Sequence, residues 1–455
     1  MTQRFALDRS YRRPNRGPVV IGGSPLRLFR LGAGGVRVAE ALEAGLGNLP
    51  TGHDPLTARF TDAGVIHPVP DLVEHDPLVL TVVVPSGGAV PLSIVAAPRC
   101  RLIVVDDGAD PPMAPIDGAE MVRLDRNAGP GAARNAGLAL VTTPFVAFVD
   151  TDVDVDESVL LRLLTLLDDP GVALVAPRIT AADGLDVLTR FERRHSPLDM
   201  GSAPARIAAT TRVSYVPAAV LVCRTDALRE VGGFDTGLRY GEDVDLVWRL
   251  TAAGHRCRYE PRCTARHRTR PSLPSWVTQR FRYGTSAAPL AVRHPVGTLA
   301  PMRMSPWSAA TWLPVLLGLP VVGALVGAGT AVALARKLRD VPVGESLRLA
   351  GLGNLFAGRL VAATLTRAWW PVTVVLALVS RRARVVLALA VVVPAAVDWC
   401  VDRPELDPVR YLALRVLDDA AYGAGVWAGA IRTRSAAALL PSFEAWPPSG
   451  DRSAG

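Results

Sequence analysis

The sequence predicts an α/β protein with a mostly parallel sheet, preceded by a small module and followed by an apolar helical region. Apolar strand-like runs alternate with helical segments over residues 78–300, which is typical of a parallel sheet covered by helices on both faces. Residues 1–77 carry short strand and helix patterns of their own, and residues 301–455 contain long apolar stretches. A chain of 455 residues exceeds one ordinary domain, so we predict three regions with these boundaries.

The short elements predicted within residues 1–77 together resemble a winged-helix module. Val38, Ala41 and Leu42 recur at helical spacing, and Gly45 is expected to end that helix. The predicted strands are residues 18–21 and 26–31, the predicted helices are 36–44 and 56–63, and a last short strand falls at 64–68.

Five apolar runs within residues 78–300 have the length and composition of buried strands. Helical segments separate them, so the order of elements favours parallel pairing. The predicted strands are 78–84, 101–105, 120–124, 145–149 and 172–176, and the predicted helices are 131–141, 157–167 and 247–253.

Carboxylates come directly after two of these strands and are the first candidates for a functional site. Asp106 and Asp107 come directly after the second strand, and Asp150 and Asp152 come after the fourth. Ligands of parallel α/β sheets bind beyond the carboxyl ends of the strands. Because Asp150 and Asp152 are two residues apart, they can share one hard cation, so we predict Mg²⁺ or Mn²⁺ and a nucleotide diphosphate there. For Asp106 and Asp107, a turn formed by Asp-Asp-Gly is the alternative to a nucleotide contact.

A second acidic cluster lies just before the helix predicted at 247–253. Glu242 and Asp243 come after a Gly-Gly-Phe-Asp turn. A carboxylate opposite a leaving group can deprotonate a sugar hydroxyl, so we predict Asp243 as the base, with Asp245 as the second choice. Helix capping is the alternative, because acidic residues suit the first turn of a helix.

The glycine-rich segment 127–137 precedes and opens a helix. A dinucleotide fingerprint would directly follow the first strand, whereas this segment comes after the third, so we do not predict a dinucleotide site. The backbone N–H groups and Arg134 at the start of the helix are predicted to approach a phosphate or to hold the acidic loop.

Four further residues complete the candidate site. His267 is predicted as a third metal ligand. Gln279 and Arg282 share one helical face, with Tyr283 beside them, and would suit an acceptor sugar ring and a diphosphate. A plain amphipathic surface is the alternative for these last three residues.

The ordered motifs of residues 78–290 resemble glycosyltransferase family 2. They are Val-Asp-Asp-Gly, Gly-x-x-x-Ala-Arg-Asn-x-Gly, Phe-Val-Asp-Thr-Asp, Gly-Gly-Phe-Asp and Gly-Glu-Asp-Val-Asp-Leu. The resemblance implies a GT-A fold, an inverting single displacement, a UDP- or GDP-sugar donor and a divalent metal. Residues 279–283 resemble the Gln-x-x-Arg-Trp motif of processive members, with Tyr283 in place of Trp.

The resemblance also implies roles for single residues. It implies that Asp243 is the base, and that Asp150 and Asp152 hold the donor and the metal. Contacts with the nucleoside are implied for Ser86, Asp106 and Asp107.

The layout of the whole chain is similar to a branch of the family that glycosylates premycofactocin. This likeness implies that a β-linked glucose chain is built from UDP-glucose on a small redox cofactor derived from a peptide. It also implies that residues 1–77 recognise the acceptor. Two other functions stay open: a membrane glycosyltransferase acting on polyprenyl phosphate or a cell-surface polysaccharide, and a peptide-binding membrane scaffold without enzymatic activity.

The C-terminal region predicts contact with membrane lipid. Residues 312–335 carry no charge and are long enough to span a bilayer, and the basic residues of Arg336–Arg339 are expected on the cytoplasmic side. Residues 369–400 suit a hairpin, one tilted helix or an interfacial helix. We expect a cell-membrane protein whose catalytic domain faces the cytoplasm. The tail at 441–455 is predicted to be disordered.

Charge and cysteine content bear on which partners and cross-links the chain is expected to have. The net charge is +8, but no segment combines stacking aromatics with regularly spaced arginines, so we expect no nucleic-acid partner. Five scattered cysteines imply no disulfide framework, and the pair Cys257 and Cys263 lacks the spacing of a zinc site. The first residues lack the apolar core of a signal peptide.

Overall fold

The computed structural model describes residues 4–45, 55–88 and 99–444. Within them the chain forms two compact units. The first unit contains the described residues of Met1–Tyr11, Gly22–Arg27 and Gly34–Thr269, and the second contains those of Arg12–Ile21, Leu28–Ala33 and Arg270–Gly455.

All but one of the described N-terminal elements occur where the sequence predicts them. They are strands β1 (Phe5–Leu7), β2 (Val19–Gly22), β3 (Arg27–Arg30) and β4 (Ile66–Pro68), and helices α1 (Ala33–Glu43) and α2 (Pro55–Ala63). β1, which the sequence analysis missed because of its length, pairs antiparallel with β4, and β2 pairs with β3. Gly45 lies just after α1 with a φ of +65°, a conformation that glycine adopts without steric cost. The winged-helix assignment stays a prediction.

Nine strands in the described part of the first unit form one mixed sheet. They are β5 (Leu80–Ser86), β6 (Arg101–Asp106), β7 (Ala119–Arg123), β8 (Phe145–Val149), β9 (Val153–Asp154), β10 (Val172–Ala181), β11 (Ala205–Ile207), β12 (Val220–Arg224) and β13 (Arg256–His267). Their order is β11-β13-β10-β12-β8-β5-β6-β7, and β9 pairs with β13. The five predicted strands are confirmed.

The predicted mostly parallel pairing is only half correct. β8, β5, β6 and β7 run parallel to one another, and β10 is parallel to β13. β12 is inserted antiparallel between β8 and β10, and β9 and β11 are antiparallel to β13. The sequence analysis missed β12 because its apolar run belongs to no strand–helix–strand repeat.

Helices cover the sheet of the first unit. They are α3 (Pro130–Leu140), α4 (Glu157–Leu167), α5 (Val187–His195), α6 (Thr225–Glu230) and α7 (Glu242–Ala252). The leucines of α4 are buried against valines of β5, β8 and β10, which gives this face a continuous apolar core. The helix predicted at 247–253 begins five residues earlier than expected, so the second acidic cluster forms its first turn.

The described part of the second unit is mostly helical. Its helices are α8 (Leu273–Thr285), α9 (Ala287–Arg293), α10 (Pro306–Leu316), α11 (Pro320–Lys337), α12 (Val343–Ala363), α13 (Trp370–Val379), α14 (Arg381–Asp402) and α15 (Pro408–Thr433), with short strands β14 (Arg303–Met304) and β15 (Ser442–Phe443). α8 and α15 pack closely, since a Cβ at Gly284 would lie 2.0 Å from the carbonyl oxygen of Tyr422.

The predicted span at 312–335 is wrong, because the segment is broken into α10 and α11. Gly318 has a φ of +81°, and Pro320 begins the next helix without a backbone N–H to continue the previous one. Two other helical segments, Val343–Ala368 and Arg381–Asp402, are long and apolar enough to cross a membrane by length and composition. The first escaped the sequence analysis because Arg348 and Arg359 interrupt its apolar run. Of the predicted tail, residues 445–455 lie outside the described residues.

Candidate active site

The carboxyl ends of β5, β6 and β8 meet at one edge of the sheet, because these strands are parallel neighbours. Ser86 and Asp106 end β5 and β6, and Asp150 comes directly after β8. The backbone N–H of Asp107 donates to the carbonyl oxygen of Ser86 at 2.7 Å, which joins the first two strand ends. The fold therefore brings these predicted site residues together.

Asp106 and Asp107 are buried and their carboxylates already accept hydrogen bonds from the backbone. Asp106 accepts from the N–H groups of Ala109 and Met113 at 2.7 and 3.1 Å, and from Arg123. Burial alone would raise the pKa of Asp106, but these donors together hold it below its usual value. Asp107 accepts from the N–H groups at positions 128 and 129 at 2.7 and 2.9 Å. Both carboxylates thus shape the loops at the strand ends.

Ser86 is also buried and takes part in a local turn. Its Oγ pairs with the carbonyl oxygen of Gly88 and accepts from the N–H of Gly88 at 3.2 Å.

Arg134 lies between the two acidic clusters. Its guanidinium donates to Oδ1 of Asp150 at 2.6 Å and to Oε1 of Glu242 at 2.7 Å, and it lies over the ring of Phe234 with 5.3 Å to the centroid. Arg134 is only 2 % exposed, so the ion pairs form in a poorly solvated setting where they are strong. Of its two predicted roles, holding the acidic loop is the one that these contacts serve.

The rest of the glycine-rich segment fixes the position of Arg134. Asn135 donates to the carbonyl oxygen of Phe234 and accepts from its N–H, both at 2.8 Å, so it clamps the Gly-Gly-Phe-Asp turn. Gly137 lets α3 approach the sheet closely, because a Cβ there would lie 2.3 Å from Cγ1 of Val83.

Glu242 and Asp243 stand in the first turn of α7, which begins after Gly241 at a φ of +81°. Oδ2 of Asp243 accepts from the N–H of Ala218 at 3.1 Å, and Oδ1 accepts from the N–H of Val244 at 2.8 Å. Asp245, the second choice for the base, is buried and paired with Arg249 at 2.7 Å one helical turn away.

Three carboxyl groups around Arg134 are harder to ionise than usual. Burial, together with the nearby Asp243 carboxylate, raises the pKa of Glu242 to about 7, although Arg134 opposes the shift. Burial also raises the pKa of Asp243, against its hydrogen bonds and Arg134, and raises that of Asp150 despite its ion pair. One buried guanidinium therefore lowers the pKa of three neighbouring carboxyl groups without offsetting their burial. Clusters of groups with shifted pKa values are frequent at functional sites.

Asp152 and His267 approach each other where β9 meets β13. Oδ2 of Asp152 lies 3.3 Å from Nε2 of His267, and the N–H of Arg268 donates to the carbonyl oxygen of Asp152 at 2.9 Å. Within the described ranges, no three His, Cys, Asp or Glu side chains converge as a ready metal cluster. A carboxylate oxygen and an imidazole nitrogen at this separation nonetheless suit a divalent cation whose other ligands come from a bound diphosphate.

Gln279, Arg282 and Tyr283 lie on α8 in the second unit. Nε2 of Gln279 donates to Oη of Tyr283 at 2.9 Å, and Arg282 is exposed. The other predicted site residues, from Ser86 to His267, belong to the first unit.

Some residues of the site were missed by the sequence analysis. Ala218 and Ala219 act through their backbone, which leaves no signal in side-chain chemistry. Asn135 stands within the glycine-rich motif, so its presence beside Arg134 was the available signal.

Comparison with known proteins identifies the class of enzyme. A family model described as glycosyl transferase family group 2 matches residues 145–399. The pre-mycofactocin glycosyltransferase of Mycobacterium tuberculosis H37Rv is 39% identical over 466 residues, covering 96% of this chain and 97% of that protein. The succinoglycan biosynthesis protein ExoO of Rhizobium meliloti is 30% identical over 35% of this chain and 50% of that protein.

The chain therefore belongs to glycosyl transferase family group 2 and, within it, to the family of the pre-mycofactocin glycosyltransferase. It is a glycosyltransferase, and its mixed α/β sheet is GT-A-like. Among solved structures, the mannosyltransferase PcManGT of Pyrobaculum calidifontis, in complex with GDP-Man and Mn²⁺, is 17% identical with a TM-score of 0.35, covering 63% of this chain and 90% of that one. The five cysteines are free in the structure.

Proposed function

We propose that this protein transfers glucose from UDP-glucose to premycofactocin with inversion, and so builds a β-linked oligosaccharide on that redox cofactor. The observation that carries the proposal is the placement of Arg134 between Asp150 and Glu242, with Asp243 beside them at the carboxyl edge of the sheet. Family membership over nearly the whole chain supports the acceptor, since the relative is named for it.

Asp243 is the proposed base. It would take the proton of an acceptor hydroxyl while that oxygen attacks the anomeric carbon and the bond from this carbon to the diphosphate breaks. A pKa raised by burial makes an ionised carboxylate a better proton acceptor than one free in water. Glu242 shares the same Arg134 and would tune the charge around the base.

Asp152 and His267, with Asp150 beside them, are the proposed ligands of Mg²⁺ or Mn²⁺. Such a cation would neutralise charge on the departing diphosphate. The donor itself is proposed to contact Ser86, Asp106 and Asp107 at the nucleoside, and Arg134 and Asp150 near the phosphates. Because Asp106 and Asp107 already bind backbone N–H groups, their contribution would come through the loops that they hold.

The remaining proposals concern the acceptor and the membrane. Gln279, Arg282 and Tyr283 would bind the acceptor sugar and the diphosphate. Residues 1–77 would recognise the peptide-derived part of the acceptor. The apolar helices of the second unit would contact membrane lipid, which the exposed Val392 and Val393 on α14 favour. The catalytic residues are proposed to lie on the cytoplasmic side.

Mass spectrometry of membranes carrying the protein tests the proposal. With UDP-glucose, Mn²⁺ and premycofactocin, we expect a ladder of hexose additions. Asp152→Ala should abolish the ladder. Asp154→Ala is the matched control, because Asp154 is an exposed carboxylate of the same cluster, and it should keep the ladder.

The alternatives give different products in the same experiment. Sugar recovered in the lipid extract would favour transfer to polyprenyl phosphate or a polysaccharide. No turnover of any sugar nucleotide would favour the non-enzymatic scaffold.

A further inference from the structure

Residues 212–219 connect the N-terminal elements to the proposed base, and we refer to them as the base-holding segment. At its start, the backbone N–H of Arg212 donates to Oγ of Ser24 at 2.6 Å. The guanidinium of the same residue donates to Oδ2 of Asp8 at 3.3 Å and to the carbonyl oxygen of Pro204 at 2.9 Å. All of these residues belong to the first unit.

The N-terminal end of this connection is firmly held. Asp8 is buried, and its Oδ2 lies 2.9 Å from Nε2 of His67 on β4. Oδ1 of Asp8 accepts from the N–H and the hydroxyl of Ser10 at 2.9 and 2.6 Å. Ser10 in turn accepts from the N–H of Gly23 at 2.8 Å, which brings the loop containing Ser24 into the same network. Arg212 is therefore attached to a hydrogen-bonded cluster in which Asp8 and His67 are buried.

The other end of the base-holding segment reaches both acidic clusters. The N–H of Ala218 donates to Oδ2 of Asp243 at 3.1 Å, and the N–H of Asp150 donates to the carbonyl oxygen of Ala219 at 3.0 Å. In between, Nε1 of Trp248 donates to the carbonyl oxygen of Ser214 at 2.7 Å, which ties the segment to α7. A displacement of the segment would move the hydrogen-bond donor of Asp243 and the backbone beside Asp150 together.

We propose that Arg212 is a positioning residue that couples the N-terminal module to the base, so that the module sets the place of Asp243 relative to the acceptor. The inference rests on the proposed function, in which Asp243 is the base. Such an effect would appear in the rate of transfer, because small displacements of a reacting group cost large factors in rate. It would spare nucleoside binding, since the proposed nucleoside contacts lie at the ends of β5 and β6 instead.

A set of full-length variants in membranes tests the coupling. Arg212→Ala should lower kcat for transfer to premycofactocin about tenfold, by displacement of the base, and leave the KM for UDP-glucose within about twofold. Arg212→Lys, which keeps a positive charge beside Asp8, should recover most of the lost rate. Arg59→Ala is the control, because Arg59 is an exposed arginine of α2 outside this network.

A double-mutant cycle separates coupling from mere packing. Asp8→Ala alone should slow transfer at least as much as Arg212→Ala, because it also removes the bonds to His67 and Ser10. The double variant should be no slower than Asp8→Ala, because both changes remove the same ion pair. Fully multiplicative losses, or a fall in the melting temperature with unchanged kcat, would overturn the inference. Asp243→Asn separates the proposed base from the proposed coupling. Transfer activity in Asp243→Asn would refute Asp243 as the base. Loss of transfer in Asp243→Asn, together with wild-type kcat in Arg212→Ala, would refute only the coupling.

Discussion

Two acidic pairs at the same edge of the sheet face opposite electrostatic surroundings. Asp106 and Asp107, at the end of β6, are enclosed by backbone N–H donors, and the pKa of Asp106 lies below its usual value. Glu242 and Asp243 open α7 beside one buried arginine that also pairs with Asp150, and burial raises the pKa of each. The same carboxylate chemistry thus has a lowered pKa at Asp106 and raised pKa values at Glu242 and Asp243.

The difference shows how burial, hydrogen-bond donors and the ratio of carboxylates to cations together set the pKa of a carboxyl group. Each backbone N–H stabilises the ionised form and offsets the cost of burial. Asp106 has two backbone donors and Arg123, so its charge is stable and chemically quiet. Around Arg134, the three carboxyl groups of Asp150, Glu242 and Asp243 share one cation. Their pKa values are raised, so each binds a proton more readily than a carboxyl group in water. Four predictions test this contrast, beginning with the largest effect.

Asp243→Asn should reduce transfer about 10³-fold, because an amide cannot accept the proton of the acceptor hydroxyl. Donor binding should persist, since the amide keeps the shape and the oxygen that accepts from Ala218. Steady-state rates and a donor titration measure the two quantities. Asp245→Asn is the matched control, because Asp245 is an acidic residue of the same turn already paired with Arg249. Loss of transfer in Asp245→Asn alone would instead make Asp245 the base.

His267→Ala should raise the Mn²⁺ concentration needed for half-maximal transfer by at least about tenfold, because one of the three proposed protein ligands is lost. Chelation with EDTA should stop the wild-type reaction, and added Mn²⁺ or Mg²⁺ should restore it. His255→Ala provides the comparison, since His255 pairs with Glu230 away from the cluster. An unchanged metal dependence in His267→Ala would remove this residue from the metal site.

Arg134→Met should destabilise the protein by about 3–5 kcal/mol at neutral pH, because it leaves buried carboxylates without their cation. The sign of the pH dependence is set by Glu242, whose pKa is raised on folding from 4.5 to about 7. Glu242 binds its proton more tightly in the folded protein than in the unfolded chain. Protonated Glu242 therefore stabilises the fold at low pH, and this stabilisation is lost as the pH rises through about 7. The deficit of Arg134→Met should therefore shrink on acidification towards pH 5.

Urea unfolding of the wild type and Arg134→Met between pH 5 and 8 measures this deficit. The structural alternative is that Arg134 acts only by packing on Phe234. In that case the difference between the two proteins would be the same at every pH.

The sequence predicted the strands well because burial leaves a local signature. Each of the five predicted strands is present, and the carboxylates after the second and fourth reach one edge, as the parallel order requires. The orientation of β12 was not predictable in this way, because pairing partners distant in the chain are decided by the packing of the whole sheet. For the same reason, the antiparallel β9 and its link between Asp152 and His267 emerged only from the structure.

The sequence predicted which residues belong to the candidate site but not which of them form ion pairs with one another. Arg134 was expected near a phosphate or the acidic loop, yet its simultaneous contact with Asp150 and Glu242 depends on residues far apart in the chain. In the C-terminal region, the sequence predicted one continuous helix that the structure does not contain. Composition alone made residues 312–335 one span, whereas backbone geometry at Gly318 and Pro320 divides it.

Asp106→Asn should have the smallest effect of the four, about 1–3 kcal/mol of stability, because an amide disturbs the bonds to buried N–H donors and to Arg123. The pKa of Asp106 is depressed on folding, so its ionised form stabilises the protein above the unfolded pKa, and that contribution is lost as the pH falls through the folded value. The free energies of unfolding of the wild type and Asp106→Asn should therefore converge in strongly acidic solution.

The transfer rate of Asp106→Asn should stay close to that of the wild type, while the KM for UDP-glucose measures any direct nucleoside contact. A large rise in that KM with little loss of stability would place Asp106 with the chemically active carboxylates, and the contrast between the two acidic pairs would then have to be drawn at Asp107 instead.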